Sequence, residues 1–178
     1  MCSSDLFNKQ NFEAPLVNLT TLNTDQALSE WAKQRLVPKL LLATQTKVIE
    51  VVVDETGLLI PSVPVITVTV QKTSLWHGAA VLMSPPVTAW AATQYMGSAL
   101  SSDAIKLSAK QVETLPTPKA SQVWDDAAER LESAQDASSQ AEWQSLMHQY
   151  GALMCDAFEL DDHEQLLAWW KERLPSWS

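Results

Sequence analysis

The sequence has little glycine and little cysteine. Its 178 residues include four glycines, and no two of them lie near each other. A loop that brings backbone close to a dinucleotide or to S-adenosylmethionine needs clustered glycines, so this chain cannot build one. Cys2 and Cys155 are too few for a disulfide framework and favour a reducing compartment. The spacing of His148, Cys155 and His163 does not place three ligands on one helix face, so we expect no metal site.

Long apolar runs are also missing. No stretch approaches the roughly 18 apolar residues that a membrane span requires, and no secretory signal opens the chain. We therefore expect a cytoplasmic protein with no membrane partner.

The first six residues, MCSSDL, look like the translated end of a sequencing adapter. This interpretation predicts that residues 1–6 are an artefact and that the chain is a fragment of a longer protein.

Basic residues are scarce and unevenly distributed. The net charge is −9, but residues 33–119 carry eight basic side chains against five acidic ones. Residues 120–178 carry three basic side chains against twelve acidic ones. The centre of the chain is therefore the part that can meet phosphates, whereas the acidic end is typical of a solvated surface.

The hydrophobic pattern predicts an α+β fold with a small antiparallel or mixed sheet. Short apolar and β-branched runs predict strands at 39–44, 48–53, 58–61 and 65–70. Helical spacing and capping residues predict helices from 26, from 75 and from 85, and an acidic helical unit after 118. We expect two units, 7–118 and 119–178, the second with helices at 121–136, 139–157 and 161–173.

The stretch LMSPPVTAW at 82–90 has two interpretations. Amino-methyltransferases acting on DNA carry a polar residue followed by Pro-Pro and an aromatic ring that stacks on the flipped base. Here the fourth position is Val87, which has no π face. The stretch instead predicts a helix with Ser84 as its N-cap and a proline in its first turn.

Four segments in order carry a family resemblance. They read PKLLLATQTKVIE at 38–50, DETGLLIPSVPVITV at 54–68, VLMSPPVTAW at 81–90 and SSDAIKLSAKQVETLPTP at 101–118. Together they resemble the target-recognition region of N6-adenine DNA methyltransferases of bacterial restriction-modification and phage-defence systems, and the helical end LLAWWKERLP resembles actinobacterial members. The resemblance implies a double-stranded DNA partner and a methyltransferase domain upstream. It also implies that S-adenosylmethionine belongs to that parent protein, with no cofactor and no catalysis in this chain.

Polar residues in these segments form the predicted DNA contacts. Gln45 at a strand end can pair with an adenine edge, and Lys47 can contact a phosphate or a guanine. A helix start near Ser108 suits a phosphate. The complete predicted set is Lys39, Thr44, Gln45, Thr46, Lys47, Lys106, Ser108 and Lys110.

Two other classes of function remain open from the sequence. One is a stand-alone specificity-subunit-like or protein-interaction module without catalysis. The other is a small hydrolase that uses Ser84 or Ser108 with His77, His148 or His163, for which the sequence shows no acid partner.

Overall fold

The computed structural model describes residues 18–22, 24–71, 73–97 and 102–176, which form an α+β fold. The segment 1–6 lies outside the described residues. Among the described residues, no helix is long and apolar enough to cross a membrane. The elements in chain order are α1 (Leu19–Leu22), α2 (Gln26–Lys33), β1 (Lys39–Ala43), β2 (Gln45–Thr46), β3 (Val51–Asp54), β4 (Val65–Val68), α3 (Leu75–Met83), α4 (Pro85–Tyr95), β5 (Ile105–Lys106), α5 (Ala109–Val112), α6 (Gln122–Gln135), α7 (Gln140–Ala157) and α8 (Glu164–Lys171).

The main sheet has three antiparallel strands in the order β3-β1-β4. Leu40 and Leu42 of β1 are fully buried, because α3 packs against their face of the sheet. The expected strand at 58–61 is wrong. Leu58 and Leu59 are held in a loop by backbone N–H bonds to the Asp54 carboxylate, at 3.2 and 3.0 Å.

The sequence predicted the starts of α2, α3, α4, α6 and α7 to within one residue, whereas α8 begins at Glu164 and not at 161. Ser84 is the N-cap of α4, and its Oγ accepts a hydrogen bond from Val87 N–H at 3.3 Å. The same hydroxyl donates to the Val81 carbonyl at the end of α3, at 2.8 Å. The SPPV stretch is therefore a junction between two helices, as its capping pattern predicted. Gly97 follows α4 with a φ of +82°, a conformation that favours glycine.

One hydrophobic core includes the sheet and the acidic helices. Leu42 of β1, Leu131 of α6 and Trp170 of α8 belong to the same buried cluster. Tyr150 of α7 is fully buried, and its hydroxyl donates to the Ala80 carbonyl of α3 at 2.7 Å. The predicted boundary at 118–119 coincides with the connection between α5 and α6, but the core continues across it.

Candidate nucleic-acid interface

A two-stranded ribbon brings together two of the sequence-predicted segments. Strand β2 follows β1 after Thr44, and it pairs with β5 in antiparallel register. Gln45 lies opposite Lys106, and Leu107 N–H donates to the Thr44 carbonyl at 2.9 Å. Most of the predicted DNA contacts therefore share one surface element, although they lie far apart in the sequence.

The ribbon has an inner and an outer face. Ile105 and Leu107 are 2% and 4% exposed, whereas Lys106 between them is exposed. Side chains alternate across a strand, and directly opposed residues share a face. Gln45, opposite Lys106, therefore belongs to the outer face, and its side chain is half-buried.

The two threonines anchor the ribbon. The Thr44 hydroxyl donates to the Pro64 carbonyl at 3.0 Å, which ties the ribbon to the segment before β4. The Thr46 hydroxyl donates to the Val48 carbonyl. Both hydroxyls already have protein partners. Thr44 and Thr46 therefore hold the ribbon in place and are less available to DNA than Gln45 is.

Lys47 at the end of β2 carries an accessible charge. Its Nζ lies 2.8 Å from Oδ2 of Asp103, and the two side chains are 60% and 47% exposed. An exposed ion pair of this kind contributes about 0–1 kcal/mol, so a phosphate can replace the carboxylate at little cost. The sequence did not identify Asp103, since nothing in its local pattern indicates its distant partner.

The segment after β5 begins a helix at the predicted N-cap, Ser108, but this helix is shorter than predicted. Helix α5 has four residues, and Gln111 Oε1 accepts hydrogen bonds from Ser108 N–H at 2.7 Å and from Ser108 Oγ at 2.9 Å. Ser108 is thus used in a local cap, and one helical turn offers only a small dipole. Lys110 is exposed on α5 and remains available to a phosphate.

Lys39 does not belong to this surface. Its side chain is 0% exposed and forms an ion pair with Asp54, which is itself 1% exposed. The Lys39 ammonium also donates to the Val37 carbonyl at 3.1 Å. The prediction that Lys39 contacts DNA does not fit this burial. A buried ammonium needs a charged partner, and here it has one.

Glu50 lies beside the start of the ribbon. Its carbonyl accepts a hydrogen bond from Ala43 N–H at 3.1 Å, immediately before Thr44. Burial raises the pKa of the Glu50 carboxyl to about 7. No local sequence pattern indicates this raised pKa, because it depends on how neighbouring segments cover the side chain.

The predicted hydrolase serines do not meet a histidine. Ser84 is fully buried between α3 and α4, and Ser108 is bonded to Gln111. His77 instead contacts Asp125 of α6, with 2.8 Å between Nε2 and Oδ1. The hydrolase interpretation with Ser84 or Ser108 is therefore not supported by these contacts.

Comparisons with protein-family models, curated proteins and solved structures found no match to this chain.

Proposed function

We propose that this chain contacts double-stranded DNA through the outer face of the β2–β5 ribbon. We further propose that it is the target-recognition part of an S-adenosylmethionine-dependent N6-adenine DNA methyltransferase, whose catalytic domain belongs to the parent protein. One observation carries the DNA proposal: the ribbon places Gln45 opposite Lys106, with Lys47 on the strand end beside them. The methyltransferase assignment rests on the order of the four sequence segments.

The proposed contact agrees with the size of a DNA groove. The major groove of B-DNA admits a two-stranded β-ribbon, and proteins use such ribbons to reach base edges. The Gln45 amide can form a bidentate pair with adenine N6 and N7, whereas Lys47, Lys106 and Lys110 can contact flanking phosphates. Gln45 thus supplies base discrimination, and the lysines supply affinity.

The charge of the whole chain limits this affinity. Three phosphate contacts release about three counterions, which predicts a log-affinity versus log-salt slope of about −2.7. The net charge of −9 opposes DNA binding. Acidic side chains repel the phosphates when they lie within about one Debye length of them, which is roughly 10 Å at 0.1 M salt. We therefore expect weak and strongly salt-dependent binding.

Salt titration of DNA binding tests the proposal. Fluorescence anisotropy with a labelled duplex of random sequence would measure affinity between low and moderate salt. Each of Lys47→Ala, Lys106→Ala and Lys110→Ala should reduce the magnitude of the slope by about 0.9, equally on all sequences. Lys119→Ala is the matched control. Like Lys47, Lys119 is exposed and forms an ion pair, with 3.4 Å between its Nζ and the Glu159 carboxylate, but it lies outside the ribbon.

Base discrimination needs a second measurement. Selection of bound duplexes from a random pool would identify a preferred site. The selection can use this chain alone or the complete parent protein. Gln45→Ala should leave the salt slope unchanged and cost about 1–3 kcal/mol on that preferred site alone. If the variants at Lys47, Lys106 and Lys110 keep the wild-type salt slope, as the Lys119 variant should, the ribbon is not the DNA contact.

A second candidate function is supported by a different part of the surface. In the loop between β3 and β4, Leu58 is 73% exposed and Val63 is 92% exposed. Two apolar side chains exposed in the same loop are available to a protein partner, which is the basis for the alternative of an interaction module. This alternative would be supported if all three lysine variants keep the wild-type salt slope while a Leu58→Ser, Val63→Ser double variant loses binding to a separate methyltransferase subunit.

A further inference from the structure

Ser74, His77 and Asp125 form a hydrogen-bonded chain on the surface between α3 and α6. The Ser74 Oγ lies 2.7 Å from His77 Nδ1, and His77 Nε2 lies 2.8 Å from Asp125 Oδ1. Ser74 is the N-cap of α3 and is exposed. The His77 side chain is 24% exposed and that of Asp125 is 52% exposed.

The contacts determine which ring nitrogen carries the proton. An ionised carboxylate accepts hydrogen bonds only, so Nε2 of a neutral His77 is the protonated nitrogen that donates to Asp125. The Nδ1 lone pair is then left to accept the proton of the Ser74 hydroxyl. A nucleophile bonded to a base, with that base oriented by a third group, activates serine in acyl transfer, and here the two ring nitrogens have exchanged the roles that they have in Ser-His-Asp enzymes.

Two neighbouring contacts hold this arrangement in place. Trp124 Nε1 donates to the His77 carbonyl at 3.2 Å, and its ring packs edge-on against the imidazole with 5.4 Å between centroids. Trp124 precedes Asp125 in the first turn of α6, so the same turn positions both the carboxylate and the imidazole.

The Ser74 oxygen also lies in a favourable field. His77 N–H donates to Ser74 Oγ at 3.2 Å, and Oγ stands at the N-terminus of the nine-residue helix α3. Both the N–H group and the helix dipole stabilise negative charge on Ser74 Oγ.

We propose that Ser74 is a nucleophile for small activated carboxylic esters, with His77 as its base and Asp125 as a positioning residue. The Ser74 oxygen attacks the ester carbonyl while its proton passes to His77 Nδ1. The carbon–oxygen bond to the leaving group then breaks, and the leaving alkoxide takes the proton from His77. The product is an acylated Ser74, which water hydrolyses with His77 again accepting and returning a proton. This site is independent of the proposed DNA contact.

Acetylation by p-nitrophenyl acetate tests the proposal. Intact protein would be incubated with the ester, and the acetylated positions would be located by peptide mapping. Ser139 is the matched internal control, because it is an exposed N-cap serine whose Oγ also accepts a backbone N–H, that of Glu142 at 3.2 Å. We expect Ser74 to be acetylated at least tenfold faster than Ser139.

Variants separate the roles of the three residues. Ser74→Asn keeps a good N-cap but removes the nucleophile, so acetylation at this position should be lost while the melting temperature is retained. His77→Gln should slow acetylation of Ser74 by about a hundredfold or more. Asp125→Asn can donate to Nε2 and thereby move the ring proton to Nδ1, so it should slow the reaction at least tenfold. Asp125→Glu should restore the rate, because it restores a carboxylate.

Three results would overturn the assignment. They are equal acetylation rates at Ser74 and Ser139, accumulation of the acetyl group on His77, and a Ser74 rate that the His77 and Asp125 variants leave unchanged. Acetyl-His77 would make the imidazole itself the nucleophile, and in the other two cases the three residues would only cap α3 and join it to α6.

Discussion

Removal of the Lys39 side-chain charge should destabilise the fold strongly. Lys39 and Asp54 are 0% and 1% exposed, so Lys39→Met leaves a buried carboxylate without its cation. Loss of one partner of a buried pair costs about 3–5 kcal/mol. The Asp54 carboxylate still accepts hydrogen bonds from Thr56, Leu58 and Leu59, which places the expected loss near the lower value.

A second substitution should recover part of this loss. Asp54→Asn alone leaves the Lys39 ammonium buried without a countercharge, and we expect a similar cost. The double variant Lys39→Met, Asp54→Asn removes both charges of the pair, and the amide oxygen can still accept the hydrogen bonds from Thr56 and Leu58, which share one carboxylate oxygen. The double variant should be at least about 1 kcal/mol more stable than the sum of the single effects predicts.

The pH dependence of the same pair has a definite sign. Burial alone raises the pKa of Asp54, but the hydrogen bonds from Lys39, Leu59 and Thr56 outweigh it and hold that pKa below its usual 3.8. The pair therefore contributes stability above pH 3.8, and this contribution is lost as the pH falls through the lower folded value.

Urea unfolding, followed by fluorescence of the eight tryptophans, measures these free energies. Lys47→Met is the control, because its exposed pair with Asp103 should contribute at most about 1 kcal/mol. The reasoning is refuted if Lys39→Met costs no more than Lys47→Met and also lowers the DNA salt slope. Lys39 would then be a surface residue, as the sequence predicted.

Three further predictions concern other buried groups. Glu50→Gln should leave the free energy of unfolding unchanged near pH 4.5 and raise it by up to about 3 kcal/mol above pH 7. Burial raises the pKa of Glu50 in the folded protein from 4.5 to about 7, so the wild-type protein loses stability between these two pH values. Urea unfolding at both pH values measures the difference. In a Cys2→Ser background, Cys155 should resist alkylation until urea unfolds the protein, since burial raises its pKa to about 12. Gly151→Ala should lower the thermal midpoint, because a Cβ there would lie 3.0 Å from the Trp170 ring.

Local sequence patterns predicted the elements that depend on local physics. Ser84 has a helix-capping side chain followed by two prolines, and this combination has few other uses. The β-branched runs that form β3 and β4 likewise show their preference without neighbours. The apolar run after Gly57 misled the prediction, because the Asp54 carboxylate captures the N–H groups that a strand would need.

The remaining features depend on contacts between distant segments. No local signal pairs Gln45 with Lys106, and the burial of Lys39 follows from its partner Asp54 on the neighbouring strand. The position of Lys39 at the start of an apolar run was ambiguous, since a strand end can lie at the surface or in the core. The predicted DNA contact required Lys39 to lie at the surface. Asp125 lies 48 residues from His77 in the sequence, so no local pattern links these two residues.

The β2–β5 ribbon has a kinetic consequence. Strands β1 and β3 meet through a short connection, whereas β2 and β5 close a loop that contains β3, β4 and two helices. Closing a long loop costs more chain entropy, and two-residue strands return few hydrogen bonds for it. Amide protons of the ribbon should therefore exchange with solvent through local opening, before those of β1 exchange. A ligand that binds only the closed ribbon has an apparent affinity reduced by the fraction of molecules in which the ribbon is open. A cross-link that holds Gln45 opposite Lys106 would therefore tighten binding without adding a contact.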